Sequence, residues 1–162
     1  MSFSQDPADL KRESYATLQR QLQALLDGER DGLANLAQFC ALIFQSLPGL
    51  NWAGFYLLRG GTLVLGPFQG RIACVRIPVG KGVCGTCAAT LRPQVVPDVH
   101  AFAGHIACDS ASNSELVLPV LARGRLLAVF DLDSPLKGRF DEEDAGGMTE
   151  LLSTLVNGTD WP

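Results

Sequence analysis

The sequence contains no apolar run long enough to span a bilayer, and no basic N-terminal segment that leads into such a run. A membrane helix needs about 20 apolar residues, and a secretory signal needs the second pattern. Clusters of Lys and Arg interleaved with aromatic residues, which are typical of nucleic-acid binding, are also missing. These absences favour a cytoplasmic protein whose partners are neither membranes nor nucleic acids.

Internal repeats, linkers and low-complexity tracts are absent as well. The 162 residues are 47% hydrophobic and 19% charged, with 17 acidic against 13 basic side chains. This composition is typical of a soluble domain that is large enough to bury a core. We therefore expect one domain over residues 1–162.

Hydrophobic periodicity predicts helices near both ends of the chain and short strands between them. Tight turns between neighbouring strands, such as the one that Gly60 and Gly61 predict, indicate an antiparallel sheet and an α+β fold. We expect Gly66 and Pro67 to end the second strand, and residues 97–114 to form a long irregular stretch. The predicted helices cover residues 6–27, 31–45, 83–91 and 141–156, and the predicted strands cover residues 51–59, 62–65, 72–77, 94–96, 116–121 and 126–132.

The five cysteines are an odd number, and in the cytosol this favours catalytic or redox use over a disulfide framework. Cys74 lies in a strand-like run, Cys84 in a glycine-rich turn, and Cys108 in a polar loop that also contains His105. An exposed thiol beside a cationic or dipolar group has a lowered pKa, and its thiolate is the nucleophile. One reactive thiol with others to resolve it is the minimum needed to reduce an oxidised sulfur. The alternative is that Cys108 is a half-buried small hydrophobe.

Other interpretations of the cysteines remain open. Cys84 and Cys87 have the spacing of a thiol–disulfide exchange motif, although no βαβ pattern surrounds them, and Cys87 and Cys40 also suit core positions. The two histidines can instead order the loop or tune Cys108. A zinc site is a further possibility, but the histidines lack the paired spacing of zinc motifs, so we expect no metal and no cofactor. Its ligands would come from Cys84, Cys87, His100, His105 and Cys108.

A second candidate group is acidic. Asp131 and Asp133 lie two residues apart on a predicted strand and therefore share a face. A three-residue loop at 123–125 places Glu115 opposite Asp133, whereas a two-residue loop turns Glu115 to the other face. Three neighbouring carboxylates attract a cation such as the ammonium of an amino acid, and a pair that shares a proton can donate it to a sulfoxide oxygen. The alternative is a solvated strand end.

Two aromatic residues form a third candidate feature. Trp52 and Tyr56 lie four residues apart on the first predicted strand, so they share a face. They can form the wall of a pocket for a methyl or thioether group, since sulfur packs well against aromatic rings. Ordinary core packing is the alternative.

Together these residues resemble the free methionine-(R)-sulfoxide reductase family, whose members are single GAF domains. The resemblance covers nearly the whole chain. It is densest in three segments that carry the thiols and the acids: LVLGPFQGRIACVRIPVGKGVCGT, DVHAFAGHIACDSASNSELVLP, and DLDS followed by GRF.

The resemblance implies a GAF-like antiparallel sheet between N- and C-terminal helices. It implies that Cys108 is the nucleophile, that Cys74 forms a disulfide with it, and that Cys84 is an auxiliary thiol. The activity would be reduction of free L-methionine-(R)-S-oxide through a sulfenic acid, with thioredoxin as reductant, in a homodimer without a cofactor. The residues expected to hold the substrate and assist protonation are Glu115, Asp131, Asp133, Trp52 and Tyr56.

One cysteine departs from the family pattern. Cys87 stands where the family would have a small residue such as Ala, so Cys84 has a second possible disulfide partner. Two other functions remain alternatives: a GAF sensor that binds a small ligand without turnover, and a thiol redox sensor that changes partner on oxidation.

Overall fold

A computed structural model describes residues 4–106, 108 and 111–162. Six strands form one antiparallel sheet in the order β3-β2-β1-β6-β5-β4, which confirms the predicted α+β fold. The elements are α1 (Pro7–Leu26), α2 (Gly32–Ser46), β1 (Trp52–Arg59), β2 (Thr62–Gly70), β3 (Arg76–Pro78), α3 (Gly82–Thr90), β4 (Gln94–Val96), a 3₁₀ turn (Val99–Ala101), β5 (Ser114–Ala122), β6 (Arg125–Ser134) and α4 (Glu142–Asn157).

Aspartate side chains determine where the three long helices begin. Asp6, Asp31 and Asp141 each accept a hydrogen bond from a backbone N–H in the first turn of α1, α2 and α4. Such caps satisfy backbone donors that have no partner inside the helix. Asp144 completes a capping box in α4 and also accepts a 2.6 Å hydrogen bond from Lys11, which joins α1 to α4. Within the described ranges, no helix is both long and apolar enough to cross a membrane.

The alternation of side chains along β1 divides the interior into two layers. Phe55 and its neighbours Ala53 and Leu57 pack against α1, α2 and α4 in the larger core. Trp52 and Tyr56 point to the opposite face of the sheet, where they pack with α3 in a smaller cluster. The candidate site lies on this second face.

β2 is longer than the sequence predicts, and the expectation that Gly66 and Pro67 end it is wrong. The pairing with β1 shifts by one residue here, so both residues lie opposite Phe55 in a β-bulge. A bulge leaves backbone groups unpaired, which suits a proline that has no N–H to donate.

The third strand is shorter than predicted. It covers only Arg76–Pro78, and Cys74 lies before it in irregular backbone. The Cys74 carbonyl accepts a 3.1 Å hydrogen bond from the Tyr56 hydroxyl, so this carbonyl is bonded to a side chain and not to a strand N–H.

The turn between β5 and β6 has two residues, which is one of the two alternatives that the sequence left open. Ala122 pairs with Arg125, which leaves only Arg123 and Gly124 in the turn. Both turn residues have positive φ, 52° and 75°, as in the type I′ turns that match strand twist.

A β-bulge farther along β6 restores the predicted register. The pairing shifts by one residue after Val120, which lies opposite Ala128, so Leu127 is the extra residue. As a result Glu115 lies opposite Asp133, although the turn has two residues. The structure therefore combines the facing pair of the three-residue alternative with the turn of the two-residue alternative.

Candidate functional site

Cross-strand pairing on β5, β6 and β1 assembles the predicted acids and aromatics in adjacent rows. One row contains Glu115, Asp133 and Trp52, and the next places Asp131 between Val117 and Gly54. Because side chains alternate along a strand, the residues of both rows share one face of the sheet. The acids and the aromatic wall are therefore neighbours.

A cavity lies over this face, between the sheet, the start of α3 and the segments that carry Cys74 and Cys108. Its water-accessible space is about 40 Å³, room for only a few water molecules. All of the predicted substrate-binding residues line it, together with Cys84 and Cys108. Cavity-lining residues that the sequence analysis did not select include Ile72, Lys81, Ile106 and Ser112, whereas His105 was considered there for tuning Cys108.

A disulfide joins Cys74 to Cys108 at the edge of the cavity, with 5.6 Å between their Cα atoms. The segment before β3 is held by two aromatic side chains from β1. The Trp52 indole donates to the Arg71 carbonyl at 3.1 Å, and the Tyr56 hydroxyl donates to the Cys74 carbonyl at the same distance. The two aromatics thus position the thiol segment as well as the cavity wall.

Gly54 lets these two aromatic rings stack. The centroids of Trp52 and Tyr56 are 5.8 Å apart, and Trp52 also stacks on Phe68 at 5.2 Å. A Cβ atom at Gly54 would lie 2.3 Å from the Phe68 Cβ and 2.6 Å from the Trp52 ring. Only glycine leaves the aromatic wall in this position.

The other cysteines are free and buried. Cys84 lies in the first turn of α3, where its Sγ is 4.0 Å from Glu115 Oε1. Burial, and then the charges of Asp131 and Glu115, raise the pKa of Cys84 well above its ordinary value, so this thiol stays protonated. Cys87 packs in the cluster beneath the site and Cys40 in the larger core, as the sequence predicts.

Burial changes the charge state of the carboxyl groups. It is the main cause that raises the pKa of Glu115 to about 8, and repulsion from Asp133 adds to it. Burial and then Glu115 raise the pKa of Asp131 well above its ordinary value. Asp131 Oδ1 is buried without a hydrogen-bond partner among the described residues. At neutral pH the site therefore offers a protonated carboxyl and an acceptor oxygen that still lacks a donor.

The two histidines have different surroundings. His105 Nε2 lies 3.6 Å from Glu115 Oε2, and burial lowers the His105 pKa. Because the Glu115 pKa is raised and the His105 pKa is lowered, both groups are uncharged at neutral pH and form a neutral polar contact. His100 is exposed and bonds to Asn113 at 3.2 Å, outside the cavity lining. The position of His105 three residues before Cys108 was the signal for its place in the site.

Three side chains of this cavity have atoms that can act as ligands of a cation. One ligand atom from each of Cys84, Glu115 and Asp131 lies within 4.8 Å of the others. Of the residues considered for zinc from the sequence, only Cys84 belongs to this set. Among the residues that the structure describes, the alternative histidine–cysteine zinc site is not assembled, because Cys108 forms the disulfide and Cys87 packs in the core.

Known proteins are similar to this chain in sequence and in fold. The GAF domain family model matches residues 16–158. Free methionine-R-sulfoxide reductase of Escherichia coli is 55% identical over 90% of this chain and 88% of its own length. The structure of the Neisseria meningitidis enzyme of that name, in complex with its substrate, superposes with a TM-score of 0.86, at 41% identity over 98% of this chain and 93% of that one. The Staphylococcus aureus fRMsr, also with substrate, gives 0.85 at 43% identity, over 89% and 94%.

Proposed function

The chain belongs to the free methionine-R-sulfoxide reductase family of GAF domains, and from this premise we propose that it reduces free L-methionine-(R)-S-oxide to L-methionine. The observation that carries the proposal is the Cys74–Cys108 disulfide at the edge of a cavity lined by Glu115, Asp131 and Asp133. The sulfur atoms of the disulfide and the carboxyl groups that can donate protons are therefore neighbours.

In the proposed first step, the Cys108 thiolate attacks the sulfoxide sulfur. The sulfoxide oxygen, protonated by an acid of the site, is transferred to Cys108, which becomes a sulfenic acid as methionine leaves with two more electrons. The Cys74 thiol then attacks the sulfenic sulfur, and water leaves as the disulfide forms. Two electrons and two protons from a dithiol restore both thiols.

Glu115 is the best-placed proton donor for the first step. Its pKa of about 8 keeps it protonated at neutral pH, and it contacts both Cys84 and His105. A general acid works best when its pKa lies near the working pH. Because its pKa is raised, the Cys84 thiol stays uncharged next to this acid. Cys84 can also serve as the auxiliary thiol that the resemblance implies.

The acids also account for a preference for the free amino acid. A free amino acid carries an ammonium group next to its α-carbon, whereas a residue inside a peptide carries a neutral amide there. Asp131 has a buried oxygen without a partner in the described structure, and its neighbour Asp133 lines the same cavity. An ammonium group would supply the missing donor, while the enclosed site would exclude a peptide chain.

The disulfide-bonded form belongs to the end of the proposed catalytic cycle, because Cys108 is bonded to Cys74 and cannot attack a sulfoxide. We therefore expect substrate to react after the disulfide is reduced. Thioredoxin as the reductant, a homodimeric state and a cytoplasmic location belong to the same proposal, since the resemblance implies them.

The test is turnover with the separated sulfoxide epimers. The protein is incubated with dithiothreitol and free L-methionine-(R)-S-oxide, the S epimer, or a peptide containing the R sulfoxide, and methionine is quantified. We expect turnover of the free R form alone. Cys108→Ser should lower that turnover by at least about 10³-fold, because the nucleophile is gone.

Cys87→Ala is the matched control, because it removes a thiol that lies outside the cavity lining. It should retain wild-type turnover. Substantial activity of Cys108→Ser, or binding of the sulfoxide by the wild-type protein without any turnover, would contradict the proposal, and the second result would favour a GAF sensor.

A further inference from the structure

Acidic residues are missing from the part of the chain that contains Cys74. Residues 32–97 include five basic side chains, whereas all 17 acidic residues lie outside that range. Three of the five, Arg71, Arg76 and Lys81, are exposed and lie within seven residues of Cys74. In the ion pairs found among the described residues, none of these three takes part. In the described part of this protein, whose net charge is −4, the surface beside the disulfide is therefore cationic and without ion pairs.

Apolar side chains lie on the same surface. Ile72 is 91% exposed and Val75 60%, and both lie within two residues of Cys74. Ile106, two residues before Cys108, is 38% exposed. Single exposed apolar residues are ordinary, but an exposed apolar group bordered by charge is typical of a protein-interaction site.

We propose that this surface, defined by Arg71, Ile72, Val75 and Arg76 and called the recycling surface, binds an anionic protein dithiol that reduces the Cys74–Cys108 disulfide. The proposal rests on the proposed function, in which this disulfide forms in every cycle. Basic side chains would attract the partner and orient it, and the apolar side chains would bury against the area around its dithiol.

The chemistry at this surface is a thiol–disulfide exchange. A partner thiolate attacks one sulfur of the disulfide, so the bond between Cys74 and Cys108 breaks and a mixed disulfide forms. The second partner thiol then attacks the mixed disulfide and releases the remaining cysteine. The partner becomes oxidised to its own disulfide, and the chain gains two electrons and two protons.

The apolar component favours a protein over a small anionic thiol such as glutathione. Ile72 and Val75 are exposed on either side of Cys74 and need a complementary apolar surface to gain energy from burial. A tripeptide dominated by charged groups has no such surface.

The experiment compares two reductants for the same enzyme. Methionine formation from saturating free R sulfoxide is measured with dithiothreitol, and with thioredoxin kept reduced by NADPH and thioredoxin reductase. The double variant Arg71→Glu/Arg76→Glu changes the charge of the recycling surface at two residues that do not line the cavity. The matched control, Arg20→Glu/Arg125→Glu, makes the same charge change at two other exposed positions.

We expect the test variant to raise the KM for thioredoxin about 10-fold or more, with turnover on dithiothreitol within twofold of wild type. The control should change neither value by more than twofold. For the wild type, thioredoxin-supported kcat/KM should fall when NaCl is raised from 50 to 500 mM, because added salt screens the attraction.

Two results would overturn the recycling surface. They are a wild-type KM for thioredoxin in the test variant and a salt-independent thioredoxin-supported kcat/KM in the wild type. The salt measurement uses the unmodified protein, so it tests the proposed recycling surface even if the double variant folds poorly. Absence of methionine with dithiothreitol would instead contradict the proposed function itself.

Discussion

At the scale of single residues, Glu115 is the group whose chemistry changes most on folding. In an unfolded chain it would be ionised at neutral pH, whereas burial and Asp133 raise its pKa to about 8 in the folded protein. The folded state therefore binds more protons than the unfolded state between about pH 4.5 and pH 8. The part of the folding stability that depends on protonated Glu115 is fully present below pH 4.5 and is lost as the pH rises through 8.

Glu115→Gln tests both consequences. We expect kcat to fall about 10²-fold or more, because the amide cannot donate an acidic proton. Wild-type turnover should itself decline above pH 8. In thermal unfolding, the Tm of the variant should increase relative to that of the wild type as the pH rises, by roughly 5 °C or more at pH 9. No such increase is expected near pH 4.5.

Glu150→Gln, which removes an exposed acid of α4, is the control and should show neither effect. A wild-type kcat in Glu115→Gln would remove Glu115 as the donor and leave Asp131 as the next candidate.

At the scale of elements, two β-bulges decide which side chains meet in the site. The bulge in β2 accommodates Gly66 and Pro67 and keeps Phe68 beside Gly54. The bulge in β6 offsets a two-residue turn, so that Glu115 faces Asp133. Each bulge adds one residue to one strand of a pair and thereby changes which faces match.

Gly54→Ala tests the packing that this pairing creates. The added methyl would overlap Phe68 and the Trp52 ring, and must displace the aromatic wall. We expect the KM for the sulfoxide to rise at least about fivefold and the unfolding free energy to fall by roughly 1–3 kcal/mol, measured by steady-state kinetics and urea titration.

Gly146→Ala is the matched control, since a Cβ there meets no atom within 4 Å and the residue lies inside a helix. It should leave KM unchanged and should not destabilise the protein. If Gly54→Ala leaves KM at the wild-type value, the aromatic wall does not contact substrate.

At the scale of the whole molecule, the disulfide links the segment before β3 to the loop before β5 across 34 residues of sequence. The strands β3 and β5 that follow these segments lie on opposite sides of the strand order, and Cys74 and Cys108 meet at the edge of the cavity. The redox state of this one bond therefore changes the conformational freedom of the unfolded chain.

The stability of the protein should follow its redox state. Closing a loop of this length stabilises the folded state by about 4 kcal/mol in the loop-entropy treatment. We expect dithiothreitol to lower the Tm of the wild type by roughly 10 °C, measured by calorimetry. Cys74→Ser, which has no disulfide to lose at this position, should unfold at the same temperature with and without the reductant. An equal response of both proteins would refute this assignment of the Tm shift.

Much of the fold could be predicted from local signals. The capping aspartates, the helical spacing of leucines and the Gly60–Gly61 hairpin all correspond to elements of the structure. The errors concern strand ends: Gly66 and Pro67 predict a break, but the pairing with β1 converts them into a bulge. Local propensity is overridden where a neighbouring strand supplies the hydrogen bonds.

The sequence by itself determined the reactive groups, the faces on which Asp131, Asp133, Trp52 and Tyr56 lie, and the family to which they belong. These follow from residue identity and from periodicity inside a single element, and both are local properties. The tertiary structure alone decided that Cys74 reaches Cys108, that the β6 bulge brings Glu115 opposite Asp133, and that burial keeps Glu115 protonated. Distances between segments and loss of solvent depend on the whole packed chain, so no window of the sequence contains them.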